Sequence, residues 1–200
     1  LCLSVSFEEA KAYYVRADAI TQSLRDVFAD SRIEKIAHAA KFDIEVLRQV
    51  GFEINNLVFD TKIGAYLLNP GQRNHGLKDQ AFSEFGVRMT TLDDLLGNGS
   101  KAISMKELDE KNHEGLAQYA AADADFTFRL YPLLQKRLKE EDLLQVMEEI
   151  ELPLIPVLAT MEAHGITLDT KHLKKLSKEL EASLESMQKK IYELAGGEFN

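Results

Sequence analysis

The hydrophobic period changes along this chain, and the place where it changes bounds the fold. Leu1, Leu3, Val5 and Phe7 alternate with Cys2, Ser4 and Ser6, the two-residue period of a strand with one buried face. Glu8-Glu9 separates that strand from a second, Ala12 to Arg16, which makes a hairpin. Strand-like and helix-like segments then alternate as far as about residue 137. Beyond the charged joint Lys136 to Asp142 only helical spacing remains. This pattern predicts an α/β domain over residues 1–137 and an all-helical segment over 138–200.

Within the first part, Asp18 is placed to cap a helix carrying Ile20, Leu24, Val27 and Phe28 on one face. Lys35 to Ala39 is short and apolar enough for a buried strand, and a helix from Phe42 stops at Gly51. Asn56 to Phe59 reads as another strand. Asp60 stands where it would cap the helix Thr61 to Leu68, which Asn69-Pro-Gly71 ends. Helices are expected over Leu77 to Phe85 and Leu92 to Leu96, a polar loop opens at Asn98-Gly-Ser100, and a long helix runs from about Glu114 to Lys139.

In the second part, Val146, Ile150, Leu154, Val157, Leu158 and Met161 make one apolar face ending at Gly165. Pro153 and Pro156 break or kink an interior helix, so regular helix is expected from near Glu151. A last helix starts within Thr167 to Thr170. It carries Leu173, Leu176, Leu180, Leu184, Met187, Ile191 and Leu194, a narrow seam of three- and four-residue steps. The opening strand in full course and the closing Gly196-Gly-Glu-Phe-Asn200 read as a piece of a longer protein.

Composition narrows the class. The chain is 45% hydrophobic with a formal net charge of -9 and one cysteine, Cys2. No apolar run approaches the ~20 residues that span a bilayer. A lone cysteine excludes an internal disulfide and fits a reducing compartment, so the expectation is a soluble cytoplasmic protein. The acidic balance argues against a strong stand-alone nucleic-acid binder, whose affinity rests on Lys and Arg. It leaves room for an enzyme that holds phosphates through metal ions on carboxylates.

Two positions carry that chemistry. Tyr119 and Asp123 are four apart in the alanine-rich stretch Gly115 to Asp125, so hydroxyl and carboxylate share one helix face. A carboxylate beside a phenol supplies an oxygen ligand for a cation and a group to orient the attacking water. The same pair also suits an ordinary solvated face. Asp43 stands where a short strand gives way to a helix, the end of an α/β sheet at which ligands collect. A first-turn acid favoured by the helix dipole fits equally well. Asp125 lies ~200° around the helix from Asp123 and is solvated or paired.

These residues carry a resemblance. His38-Ala-Ala-Lys-Phe-Asp43, Phe59-Asp-Thr61 and Tyr119-Ala-Ala-Ala-Asp123-Ala-Asp125 resemble the second and third motifs of the DEDDy 3′–5′ exonucleases. Glu151 to Leu158, Met161 to Ile166, Asp169 and Ala195 to Asn200 resemble the entry into the polymerase domain of family A DNA polymerases, the bacterial DNA polymerase I family. Ribonuclease D, another DEDDy enzyme, has no such continuation. The resemblance implies a ribonuclease H-like fold with a mixed sheet, and two divalent ions, Mg²⁺ or Mn²⁺, held by four carboxylates. Asp43 and Asp123 match two of the four, with Tyr119 orienting the water. The others belong to an Asp-x-Glu motif on the strand that precedes the hairpin in the family, and no Asp-x-Glu followed by such a hairpin occurs in this sequence. Ala39 stands where the family often has Asn, which implies a weaker contact with the DNA strand.

The partners implied are primer-template DNA and a single-stranded 3′ end, with dNTP in the parent polymerase and no membrane. The last helix becomes the rising part of the polymerase thumb, where Lys171, Lys174, Lys175 and Lys178 would meet phosphates. A mixed-charge solvated face is the alternative, since Glu179, Glu181 and Glu185 follow. For the whole chain the alternatives are a non-catalytic scaffold bracing the polymerase and a ribonuclease D-like RNA exonuclease. With only two of the four carboxylates, the chain is expected not to cleave DNA by itself.

Overall fold

The computed structural model describes residues 2–97 and 102–199. The expected positions of Leu1, of the Asn98-Gly-Ser100 loop and of Asn200 lie outside those residues. The chain divides into two compact units, residues 1–163 and 164–200.

In the first unit, β1 (Cys2–Glu8) and β2 (Lys11–Arg16) form the expected antiparallel hairpin, with Leu3 opposite Val15 and Val5 opposite Tyr13. The turn is held from below. Ala10, at φ 62, donates its N–H to Asp125 Oδ1 at 2.7 Å, and Arg129 reaches Glu9 at 3.2 Å and Asp125 at 3.5 Å. Asp125 is therefore paired, one of the two roles expected for it. The next helix, α1 (Gln22–Ala29), is capped by Thr21, whose hydroxyl accepts from Leu24 N–H. Asp18 does not cap it. Residues 17–19 make one 3₁₀ turn, the extended Ile20 interrupts the helical path, and Asp18 pairs with Arg16 instead.

The second ribbon is parallel. β3 (Lys35–Ala37) runs beside β4 (Leu57–Asp60), with Ile36 opposite Phe59 and Ala37 opposite Asp60. The fold is α/β, and both strand senses occur, in two separate two-stranded ribbons. β3 stops two residues short of the expected Ala39 because the chain turns there. Ala39 sits in the left-handed region at φ 68, and α2 (Ala40–Gln49) begins immediately after it. Such a backbone costs an L-residue roughly 1–2 kcal/mol, so something must hold it. Asp60 does so, as described below.

α3 (Thr61–Leu68) follows β4 without a loop. Its Gly64 lies under Phe59, where a Cβ would stand 2.9 Å from the ring. α4 (Leu77–Phe85) ends at Gly86, and α5 (Leu92–Leu96) opens with a Thr91/Asp94 capping box. A second box, Ser104 with Glu107, starts α6 (Met105–Lys111), a helix that the apolar period does not announce. α7 (His113–Glu140) is the spine of the unit. Its Phe126, Leu130, Leu134 and Leu138 make the core with Phe59, Ala65, Ala81 and Met147. A helix 28 residues long with a buried stripe on one side and β1, β2 and α3 packed along it fixes where its polar residues emerge.

After Asp142, at φ 56, the chain re-enters helix as α8 (Leu144–Val146), passes through a π-helical turn over Met147–Glu151, and continues as α9 (Leu152–His164). Regular helix thus begins close to the expected Glu151, but Pro156 lies inside it. The buried face differs from the expected one. Met147, Ile155 and Ala159 are buried, while Ile150, Leu154, Val157 and Met161 are exposed. The extra residue in a π turn rotates all that follows by about 100°, which moves the 146–161 stripe off the core. The turn also suits Pro153, which has no N–H to give to a regular ladder.

The second unit holds α10 (Thr170–Ala195), capped by Asp169 through the N–H groups of Lys171 and His172 and closed by Gly196 at φ 73. Leu173, Leu176, Leu180, Leu184, Met187, Ile191 and Leu194 line its seam, and all are exposed.

Candidate active site

The site is built where β3 and β4 end. Asp60, at the last position of β4, is 1% exposed. Its Oδ1 accepts from Lys62 N–H at 2.8 Å, Ile63 N–H at 3.2 Å and Ala39 N–H at 3.2 Å, and its Oδ2 from Ala40 N–H at 2.7 Å. One carboxylate therefore caps two helices, α2 and α3. The capping role expected for Asp60 holds, and it extends to the left-handed turn at Ala39. Asn suits that turn better than Ala, since its short polar side chain tolerates the left-handed region.

Asp43 lies in the first turn of α2, four residues on from Ala39. Burial pushes its carboxyl up to about 7, and the charge of Asp60 adds to the effect. His38 precedes the turn. Its Nδ1 meets Thr61 Oγ1 at 2.9 Å, while that hydroxyl donates to the Ala37 carbonyl at 3.2 Å. The hydroxyl proton is used, so Nδ1 carries the imidazole proton and Nε2 is left as an acceptor. Burial, with the charges of Lys62 and Lys78, depresses the His38 pKa to about 4.

Tyr119 and Asp123 project from α7 on one face, as their spacing requires. Burial raises the Tyr119 phenol to about 12, helped by the neighbouring Asp123 charge. Asp123 is raised by burial, against the pull of Lys78 and of the Tyr119 hydroxyl. Lys78 is a site residue that the sequence pattern does not reveal. Its ammonium forms an ion pair with Asp123 Oδ1 and lies 4.3 Å from the centre of the Tyr119 ring. It enters from the second position of α4, where a cation opposes the helix dipole. That local mismatch is the one available signal.

The structure thus joins Tyr119, Asp123 and Lys78. Among the described residues no three His, Cys, Asp or Glu side chains stand close enough together to hold an ion. A two-metal centre places cations about 3.5–4 Å apart and needs several carboxylates to offset their repulsion. Two acids, one already paired with an ammonium, do not fit that group.

A profile of the 3′–5′ exonuclease family matches residues 2–139. The chain belongs to the 3′–5′ exonuclease family of DNA polymerase I. DNA polymerase I of Chloroflexus aurantiacus is 42% identical over 184 residues, covering 90% of this chain and 19% of that protein. That of Treponema pallidum is 34% identical over 200 residues, covering 99% and 19%. The chain spans about a fifth of the length of these relatives. The solved POL domain of Pol1 from M. smegmatis, in complex with DNA primer-template and dNTP, matches at TM-score 0.71 and 24% identity, over 94% of this chain and 30% of that one. Brucella melitensis NrnC with bound Mg²⁺ matches at 0.57 and 23%, over 77% and 71%. Both likenesses show the exonuclease fold.

A cleft of about 430 Å³ opens beside the site, lined among others by Phe42, Glu45, Ile63, Ile155 and Leu158. An ion pair of Lys41 with Glu162 spans it, joining α2 to α9. Lys171, Lys174, Lys175 and Lys178 are exposed along α10, and Lys175 stands 3.7 Å from Glu179. Among the described residues no helix is long and apolar enough to cross a membrane.

Proposed function

We propose that residues 1–137 are the 3′–5′ exonuclease part of a DNA polymerase I-type enzyme and that its site takes the single-stranded 3′ end of DNA. Asp43, Asp123 and Tyr119 carry the site. The observation that supports this most is the placing of Asp43 at the start of α2 and of Tyr119 beside Asp123 on α7, within a family match covering residues 2–139. Residues from 138 on are the lead-in to a polymerase domain, although their helices pack on the α/β unit as far as Ala163. Primer-template DNA and dNTP are the proposed partners of the parent enzyme, and Mg²⁺ or Mn²⁺ its proposed cofactor.

Residues 1–200 alone are proposed not to cleave DNA. Asp43 and Asp123 together offer too few oxygens for a divalent pair that wants near-octahedral shells. A second reading, a scaffold that keeps the fold without the chemistry, is favoured by one observation, the ammonium of Lys78 on Asp123. Incubating the chain with 5′-labelled single-stranded DNA in Mg²⁺ or Mn²⁺ is expected to leave the DNA at full length. Stepwise shortening from the 3′ end, lost on Asp123→Ala, would overturn the inactive reading.

The four α10 lysines are proposed to meet DNA phosphates. Changing Lys171, Lys174, Lys175 and Lys178 to Gln is expected to flatten the salt dependence of DNA binding by the parent protein. The log–log slope should drop by about 0.9 for every phosphate no longer neutralised. An unchanged slope removes them from the interface.

A further inference from the structure

The ammonium of Lys78 stands where the expected metal chemistry needs open space. It meets Asp123 Oδ1 and covers the face of the Tyr119 ring at 4.3 Å. Both partners of the ion pair are largely shielded, with side-chain exposures of 25% and 30%. The same charge reaches His38 and helps to keep that imidazole neutral. Lys78 is therefore central to the site rather than at its rim. Its position on α4 is locally unfavourable, because the N-terminal dipole repels a cation. The long-range partners Asp123 and Tyr119 account for its being held there, through an ion pair and a cation–π contact.

We propose that Lys78 is the resident cation of the Asp123–Tyr119 pair and that it excludes a divalent ion from Asp123. This rests on the reading of Tyr119 and Asp123 as exonuclease motif residues. A metal ion on Oδ1 would lie about 2.1 Å from the oxygen and within roughly 4 Å of the ammonium, where the two charges repel. The side chain must withdraw before an ion can bind. While it stays in place, Lys78 satisfies the carboxylate and holds this half of the motif together without metal.

The test is Mn²⁺ binding to the 200-residue chain, followed by calorimetric titration and by paramagnetic broadening of the Tyr119 ring signals in NMR spectra. Wild type and Lys78→Arg are expected to keep sharp Tyr119 signals at equimolar Mn²⁺. Lys78→Met is expected to bind Mn²⁺ roughly tenfold more tightly or better, with Tyr119 broadened and thermal stability raised by the ion. Asp123→Asn in the Lys78→Met background is expected to abolish the gain. Equal affinity in wild type and Lys78→Met overturns the proposal, as does a gain that survives Asp123→Asn. Should Lys78→Met not fold, broadening of Tyr119 in the wild type alone overturns it, and sharp signals support it. DNA binding at the site, measured without metal, is a separate readout and reports on the exonuclease assignment alone.

Discussion

Replacing Asp60 by Ala is expected to remove a large part of the stability of the chain. The Asp60 carboxylate accepts four backbone N–H groups, from Ala39, Ala40, Lys62 and Ile63, at a position 1% exposed. Each buried N–H left without a partner costs about 1–3 kcal/mol. Water entering the vacated space recovers part of this, so the expected loss is about 4 kcal/mol, against a typical total of about 5–15 kcal/mol. Asp60→Asn should fall between. Its oxygen can still accept from α3, but its NH₂ would face the Ala40 N–H, donor against donor. Urea unfolding of both variants checks this. An Asp60→Ala loss under about 1 kcal/mol would mean that the double cap does not hold α2. The consequence reaches the site, because the turn that Asp60 holds at Ala39 sets where Asp43 begins to climb α2.

Asp43→Asn is expected to do the opposite and stabilise the chain. Burial and the charge of Asp60 hold the Asp43 carboxyl up at about 7. An unfolded Asp titrates near ~3.9. A folded value above the unfolded one means that the protonated form favours folding. Its contribution is complete below about pH 4 and is lost as pH rises toward 7. Wild-type stability should therefore fall across that window, and the fall should be shallower in Asp43→Asn. At pH 8 the variant should gain about 2 kcal/mol, after allowance for relaxation around a half-buried group, or a rise in Tm of about 4–8 °C for a chain of this size. Equal or lower stability of Asp43→Asn at pH 8 would show that the carboxylate is at ease where it stands. A carboxylate kept at a cost to stability is the mark of a functional position.

The same pair shows what a sequence can and cannot tell. Asp60 is legible because capping is local: a strand residue with helix starting beside it needs no distant information. The hairpin is legible by its period, and Tyr119 with Asp123 by their spacing. α6 is hard to see although Ser104 and Glu107 are a capping box, because the polar residues around them mask the helix. The apolar stripe from Val146 to Met161 presupposes a constant period, and the π turn at Met147–Glu151 breaks that period. Lys78 is out of reach for a different reason. Its contact with Asp123 spans 45 residues, and no pattern near Lys78 encodes it. Only the misplaced charge at a helix start hints that something distant holds it. The family resemblance supplies the roles proposed for Asp43, Tyr119 and Asp123, whereas the charge that sits on Asp123 comes from the packing of α4 against α7.

The first turn of α2 and the Tyr119–Asp123 face of α7 are the proposed seat of a DNA 3′ end. A single-stranded oligonucleotide carrying a photoactivatable base at its 3′ terminus, cross-linked without metal and mapped by mass spectrometry, probes that seat without relying on catalysis. Adducts are expected on peptides holding His38 to Asp43 and Tyr119 to Asp123, reduced by excess unlabelled DNA with a free 3′-hydroxyl. Adducts confined to α10, or none that unlabelled DNA displaces, would contradict it.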